Sequence, residues 1–380
     1  MSSVRIAHIF SDEKFIDLHI KMFSESSFIN TYFYVNKLNL YKGNNTPKLL
    51  YLTPNLNELF NLARKISSEY DILFVYNLNV EKAKIINAID SSRLKIIWNF
   101  YGTEIYNMPS VRSTFFSLST KTILEKKMSE SFISSLKFSV KQVIRALRRK
   151  ESTSELIYRA MKRIDYFTWY SEEEYNYLNE LLKNRLPPFL KLSINNRLEH
   201  IVAKEEKKLR LLIGNSRSPF NNHIDILTTL ENNAFNGEIN IPFNYGSDIN
   251  YANKLKEYTA GLNMNVNFLE TFMKYDDYID FINSHCAAIY NSYRQMALGN
   301  ILIAIMCGLK VYLSIKNPLF LWFKNNNFII FSIEGDLEAD LKTCNVFLDK
   351  KTALWNINAH NVLTQKEHNA AFMWTIENMN

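Results

Sequence analysis

Short apolar runs alternate with stretches of helical periodicity along most of the chain, and this pattern predicts its architecture. Apolar runs fall at 4–10 (VRIAHIF), 31–36 (TYFYVN), 49–52 (LLYL), 71–78 (DILFVYNL), 94–100 (LKIIWNF) and 164–171 (IDYFTWYS). Each is short enough for a strand and rich in β-branched and aromatic residues. The stretch 55–70 between two of them spaces its apolar residues as a helix does, and Pro54 and Asn55 supply start signals. Strands separated by helices predict a parallel sheet covered on both faces.

The same grammar restarts after residues 184–208, a mixed-charge stretch with Pro187 and Pro188 that reads as a linker. Strand-like runs then follow at 209–216, 239–246, 266–272, 287–291, 310–314 and 328–333, with helical patterns between them. The fold class predicted is therefore α/β, with two doubly wound, Rossmann-like domains at 1–190 and 205–380, the second ending in C-terminal helices. No repeat of 20–50 residues is visible, which argues against solenoids and propellers.

Composition supports this reading. The chain has 380 residues, 47% of them hydrophobic and only 22% charged, enough apolar matter for two cores and too little charge for a disordered chain. Cys286, Cys307 and Cys344 show no paired spacing, which excludes a disulfide framework and a thiolate zinc site. The N-terminal residues lack the features of a signal peptide, and no run approaches the ~18 apolar residues of a membrane span, so a cytoplasmic location is expected.

The net charge of +7 is unevenly placed. Residues 112–163 hold thirteen Lys or Arg against four acidic residues. Within them Phe132, Leu136, Val140, Ile144 and Leu147 recur at helical spacing, while Lys137, Lys141, Arg145, Arg148, Arg149 and Lys150 take other positions. This predicts a basic amphipathic helix suited to an anionic membrane surface, or a solvated helix packed on its own domain. No nucleic-acid motif accompanies the charge, and no nucleic-acid partner is expected.

In open parallel sheets ligands bind beyond the carboxyl ends of the strands, where helix N-termini present unpaired N–H groups to anions. Three segments there carry candidate chemistry. GNSRSPFNNH begins at Gly214 and ends at Asn222 and His223; its small and amide residues allow a backbone to approach a phosphate or sugar, and Ser216 or Asn222 can cap the next helix. An ordinary turn uses the same residue types. NSYRQMALGN, 291–300, places Arg294 at a strand-to-helix junction, where a guanidinium and a helix N-terminus would face an anion such as a diphosphate. In YGTEIY, 101–106, Gly102 permits a tight turn and Glu104 can project from the sheet edge as a base for a sugar hydroxyl, or remain a surface carboxylate or helix cap. Asp12 and Glu270 are rival bases. The seven histidines show no metal-binding spacing and there is no D-x-D sequence, so neither a metal nor a cofactor is expected.

Taken together, WNFYGTEIY (98–106), GNSRSPFNNHI (214–224), IPFNYG (241–246), YDDYIDFI (275–282), NSYRQMALGN (291–300) and KNPLF (316–320) resemble the TDP-N-acetylfucosamine:lipid II N-acetylfucosaminyltransferase family, glycosyltransferase family 56. The resemblance implies a GT-B architecture, an acceptor-side domain followed by a nucleotide-sugar domain across a cleft. It also implies transfer of 4-acetamido-4,6-dideoxygalactose from a TDP donor to a polyprenyl-diphosphate-linked saccharide. Gly214, Asn215, Ser216, Asn222, His223, Tyr245, Gly246, Asn291, Gln295, Gly299, Asn300 and Asn317 would then bind the donor, with Arg294 and Glu104 catalytic. A lipid-linked acceptor would place the enzyme on the inner face of the cytoplasmic membrane through its basic helix.

The sequence departs from the family pattern where Glu104 replaces an Asp, where Ser218 or Pro219 stands at an acidic position, and where Met296 and Ala297 follow Arg294 and Gln295. These changes bear on the identity of the sugar and the acceptor. The alternatives are a GT-B transferase using a UDP- or GDP-hexose, and a non-catalytic subunit of the same fold.

Overall fold

A computed structural model of the chain describes residues 3–12, 16–24, 26–36, 49–125, 152–193, 198, 200–246, 248–365 and 370–379. Two compact units emerge, one from Met1–Met108, Ser139–Ser193 and Glu367–Asn380, the other from Pro109–Phe138 and Ile194–Lys366, as far as their described residues go.

The first unit is a seven-stranded sheet of β1 (Arg5–Phe10), β2 (Ile29–Val35), β3 (Leu50–Leu52), β4 (Ile72–Tyr76), β5 (Lys95–Asn99), β6 (Tyr166–Trp169) and β7 (Phe189–Lys191). Its order is β3-β2-β1-β4-β5-β6-β7, with neighbours parallel throughout. β1 to β6 form where β-branched and aromatic runs were read, and β4 is buried at every position because helices cover both faces. The helix Leu56–Glu69 starts where predicted: the Asn55 side chain accepts from Glu58 N at 2.9 Å. The chain winds one way from β1 and the other way from β4, so the crevice of this sheet opens at the carboxyl ends of that pair.

The second unit repeats the plan with six strands, β8 (Arg210–Ile213), β9 (Glu238–Pro242), β10 (Asn265–Leu269), β11 (Ala287–Tyr290), β12 (Lys310–Leu313) and β13 (Phe331–Ser332). Their order is β10-β9-β8-β11-β12-β13, again with parallel neighbours, and the winding reverses between β8 and β11. The apolar helix Leu298–Met306 is buried from Ile301 onward, as its composition requires.

Three boundaries differ from the sequence expectation. The stretch read as a linker contains β7, which pairs with β6 through Phe167 and Phe189 and hides behind two prolines. Residues 109–125, expected in the first domain, pack on the second unit, where Ile123 and Leu124 cover its core. The terminal helix Ala370–Glu377, expected in the second domain, belongs to the first unit and inserts Phe372 and Ile376 into that core beside Phe74. The amphipathic pattern from Phe132 to Lys150 lies outside the described residues. Among the described residues, no helix is long and apolar enough to cross a membrane.

Candidate functional site

The second unit gathers its predicted residues at the carboxyl edge of its sheet. β8 runs into Gly214, whose φ of +68° suits glycine, and an added Cβ would lie 2.9 Å from His223 Nε2 and 3.0 Å from the Asn221 side chain. Both the backbone angle and the space therefore demand glycine. Asn221 holds the loop: its Nδ2 donates to Ser216 O at 2.9 Å and to Ser216 Oγ at 3.2 Å, and its Oδ1 accepts from Asn215 N at 3.3 Å. Arg217 ties the loop to the one after β9, donating from N to Tyr245 O at 3.1 Å and from Nε to Gly246 O at 2.5 Å.

Some of the residues predicted to bind a ligand also hydrogen-bond within the protein. Asn222 is fully buried in the left-handed region; its Nδ2 donates to Phe115 O at 3.2 Å and Asn291 O at 2.9 Å, and its Oδ1 accepts from Ser117 N at 2.8 Å. It does not cap the following helix, His223–Asn232. Ser216 is likewise enclosed in its own loop and caps no helix. His223 is buried beneath the loop with Nδ1 3.2 Å from the Tyr251 hydroxyl, and burial pushes its pKa down to about 3, leaving the ring neutral. Asn317 caps the helix Pro318–Asn325, accepting from Leu319 N at 3.0 Å. Asn291 returns a hydrogen bond from its Nδ2 to Asn222 O at 3.2 Å.

What faces outward is a cleft of about 280 Å³ beyond β8, β9 and β10. Asn215 and Asn300 line it with Tyr245, Phe272, Tyr275 and Tyr278. Asn215 donates to the Tyr245 hydroxyl, while its buried Oδ1 has no hydrogen-bond partner among the described residues. Gly299 and Asn300 occupy the first turn of the helix Leu298–Met306; its N-cap, Ala297, offers no side-chain cap, and a Cβ at Gly299 would meet open space. Arg294 precedes this turn. Its guanidinium carbon lies 4.4 Å from the centre of the Phe220 ring, and its Nη1 donates to Gln295 O at 3.1 Å. The site thus joins flat aromatic surface, amides, a guanidinium and an uncapped helix N-terminus, a set that can hold a ring, a sugar and an anion.

The first unit builds a second cluster at its own crevice. Glu104 is buried; its Oε1 accepts from Trp98 Nε1 at 3.2 Å and Tyr101 N at 3.0 Å, and its Oε2 is buried without a partner among the described residues. Burial raises its pKa against the lowering effects of these hydrogen bonds and of Lys82. Lys82 is fully buried and donates to Ser11 Oγ at 2.7 Å, Asn77 O at 2.8 Å and Tyr76 O. Burial pushes its pKa down to about 7 despite the opposing charges of Glu104 and Asp12. Asp12 and Glu104 therefore belong to one electrostatic cluster, whereas Glu270 lies on the second unit in an exposed 2.6 Å ion pair with Lys256.

Sequence reasoning missed Lys82, Asn221 and Arg217. Helical lysines are usually solvated, so nothing in VEKAKII marked Lys82 as buried. The aromatic wall did leave a signal: Phe272, Tyr275 and Tyr278 follow directly on a strand, in an otherwise polar stretch.

A family model described as 4-alpha-L-fucosyltransferase, glycosyl transferase group 56, matches residues 133–358. No curated protein matches the chain. Among solved structures, HepE of Anabaena in complex with UDP-glucose is 12% identical, covers 98% of each chain and has a TM-score of 0.61. The lipopolysaccharide outer core galactosyltransferase WaaB is 13% identical over 99% of each chain, with a TM-score of 0.56. WaaG, a glycosyltransferase involved in lipopolysaccharide biosynthesis, is 12% identical over 98% of this chain and 99% of its own, with a TM-score of 0.54. These likenesses show the fold, which is GT-B.

Proposed function

As the chain belongs to glycosyltransferase group 56 and is a glycosyltransferase, we propose that it moves 4-acetamido-4,6-dideoxygalactose, or a related deoxyamino sugar, from a TDP donor to a polyprenyl-diphosphate-linked saccharide. The second unit is the donor side and the first the acceptor side. The observation that carries the donor assignment is the cleft beyond β8–β10, where aromatic rings and amides lie beside an uncapped helix N-terminus. Its volume is near the lower end for small-molecule sites and suits the base and sugar of a nucleotide.

The diphosphate lies toward Arg294 and the first turn of Leu298–Met306. As the bond from the sugar to the donor diphosphate breaks, negative charge grows on the departing phosphate oxygen. A guanidinium and fixed N–H dipoles stabilise that charge without reorganising. Glu104 receives the proton of the attacking hydroxyl; a carboxylate whose pKa burial has raised is a stronger base than an exposed one. The charge of Lys82 opposes that rise without cancelling it.

A lipid-linked acceptor places the enzyme at the inner face of the cytoplasmic membrane, where the cationic residues between Lys137 and Lys150 are drawn to anionic lipid. The test is incubation with TDP-, UDP- and GDP-sugars and a synthetic polyprenyl-diphosphate saccharide, with mass detection of product. A product mass increased by one acetamido-dideoxyhexose from the TDP donor alone supports the proposal. Transfer of an ordinary hexose from UDP or GDP would replace it with the alternative donor class, and failure of transfer from every donor would favour a non-catalytic role.

A further inference from the structure

The segment 109–125 brings a second cation to the donor loop. Arg112 opens the short turn Arg112–Phe115, with its side chain exposed, and its guanidinium carbon lies 5.8 Å from the Phe116 ring and 5.5 Å from the Phe220 ring. Phe220 stands in the loop after β8, is 5% exposed and stacks on Phe116 at 4.9 Å. Arg294 lies against this same ring at 4.4 Å. Both guanidinium groups therefore pack against one ring of the donor loop, at 5.5 and 4.4 Å from its centre. Arg112 makes no ion pair among the described residues.

The arrangement is held from both sides. Asn222, two residues beyond Phe220, binds Phe115 O and Ser117 N, so the turn bearing Arg112 and the donor loop are one hydrogen-bonded unit. Packing on the ring offsets part of the repulsion between the two cations, and a multivalent anion would remove it and gain from both. A planar guanidinium is suited to bidentate contact with phosphate oxygens.

We propose that Arg112 is a second diphosphate-binding residue of the donor site, acting with Arg294 across Phe220. This rests on the donor assignment above, and Arg112 lies before the residues that the family model matches, 133–358. It takes the diphosphate of the nucleotide sugar, and binding of the nucleoside portion does not depend on it.

The test is calorimetric titration of the full chain and of Arg112→Gln and Arg112→Lys with TDP and with thymidine at low and at physiological salt, with a thermal melt of each variant. Because Arg112 is exposed, its variants should melt with the parent. The expected result is about tenfold weaker TDP binding for Arg112→Gln, partial recovery for Arg112→Lys, unchanged thymidine binding, and a smaller salt dependence for the Gln variant. Unchanged TDP binding by Arg112→Gln, or equal loss of TDP and thymidine, would overturn the role of Arg112 while leaving the donor site intact. Absence of TDP binding by the parent chain would overturn the donor reading itself.

Discussion

Asn222 and Asn291 exchange hydrogen bonds: the side-chain amide of each donates to the main-chain carbonyl of the other, at 2.9 and 3.2 Å. The pair joins the loop after β8 to the loop after β11, the two strands between which the winding of the second sheet reverses. Ligand-facing loops at such a point need fixed separation, and two buried amides set it here. Asn222 is thereby a residue of the site's frame.

Removing that frame should cost stability. Asn222→Ala abolishes three side-chain hydrogen bonds, leaves buried main-chain groups at Phe115, Ser117 and Asn291 unsatisfied, and puts alanine at a φ of +46°. A loss of about 3 kcal/mol is expected in denaturant titration. A loss within experimental error of zero would show that the loops hold their positions without it.

Gly214→Ala should damage the donor loop from beneath. The new Cβ meets His223 Nε2 at 2.9 Å in a backbone region that costs alanine about 1 kcal/mol, so the loop must shift. Nucleotide binding measured by titration should weaken tenfold or more; parental affinity would mean that the loop does not touch the ligand.

Glu104→Gln separates chemistry from structure. A glutamine oxygen can still accept from Trp98 Nε1 and Tyr101 N, so the melting temperature should stay near that of the parent. Turnover should fall by about 10²-fold or more, the scale of general base catalysis. In the parent, activity should decline as pH falls through a value above 4.5, because burial raises this carboxyl's pKa and only its ionised form accepts a proton. Full turnover in the Gln variant would transfer the role to Asp12 or another group.

Acid should destabilise the protein through its buried histidines. Burial lowers the pKa values of His8 and His285 to about 4 and those of His19 and His223 to about 3, with His8 adding to the effect at His19. The unfolded chain binds protons near pH 6.5 and the folded chain does not, so this stability is present above pH 6.5. It is lost as pH falls toward 4 and 3. Each histidine contributes a slope of about 1.4 kcal/mol per pH unit in that window. Melting temperatures from pH 7 to 5 should fall steeply; in His223→Gln the slope should be shallower, and an unchanged slope would remove His223 from this account.

The strands were legible because each is a short apolar run bounded by polar turns; β5 spans 95–99 within the predicted 94–100. β7 was not legible, since Phe189–Lys191 is too short for a pattern and follows two prolines. The placement of Ile123, Leu124 and Phe372 depended on long-range packing that no local period encodes. At the site, the positions of Gly214 and Arg294 followed from where strands end. The internal hydrogen bonds of Asn222, His223 and Asn317 did not, because the position of an amide or imidazole after a strand does not specify its partner. Lys82 was hidden for the complementary reason: a helical lysine reads as solvated until neighbouring elements enclose it.

The most direct test of the central claim, that the second unit grips a nucleotide diphosphate through Arg294 and the cleft beyond β8–β10, is calorimetric titration of TDP into the parent chain, Arg294→Ala and Phe272→Ala. Saturable binding by the parent, weakened at least tenfold by either substitution without loss of the folded state, is the result predicted. Absence of TDP binding by the parent, or equal affinity in all three proteins, would contradict it.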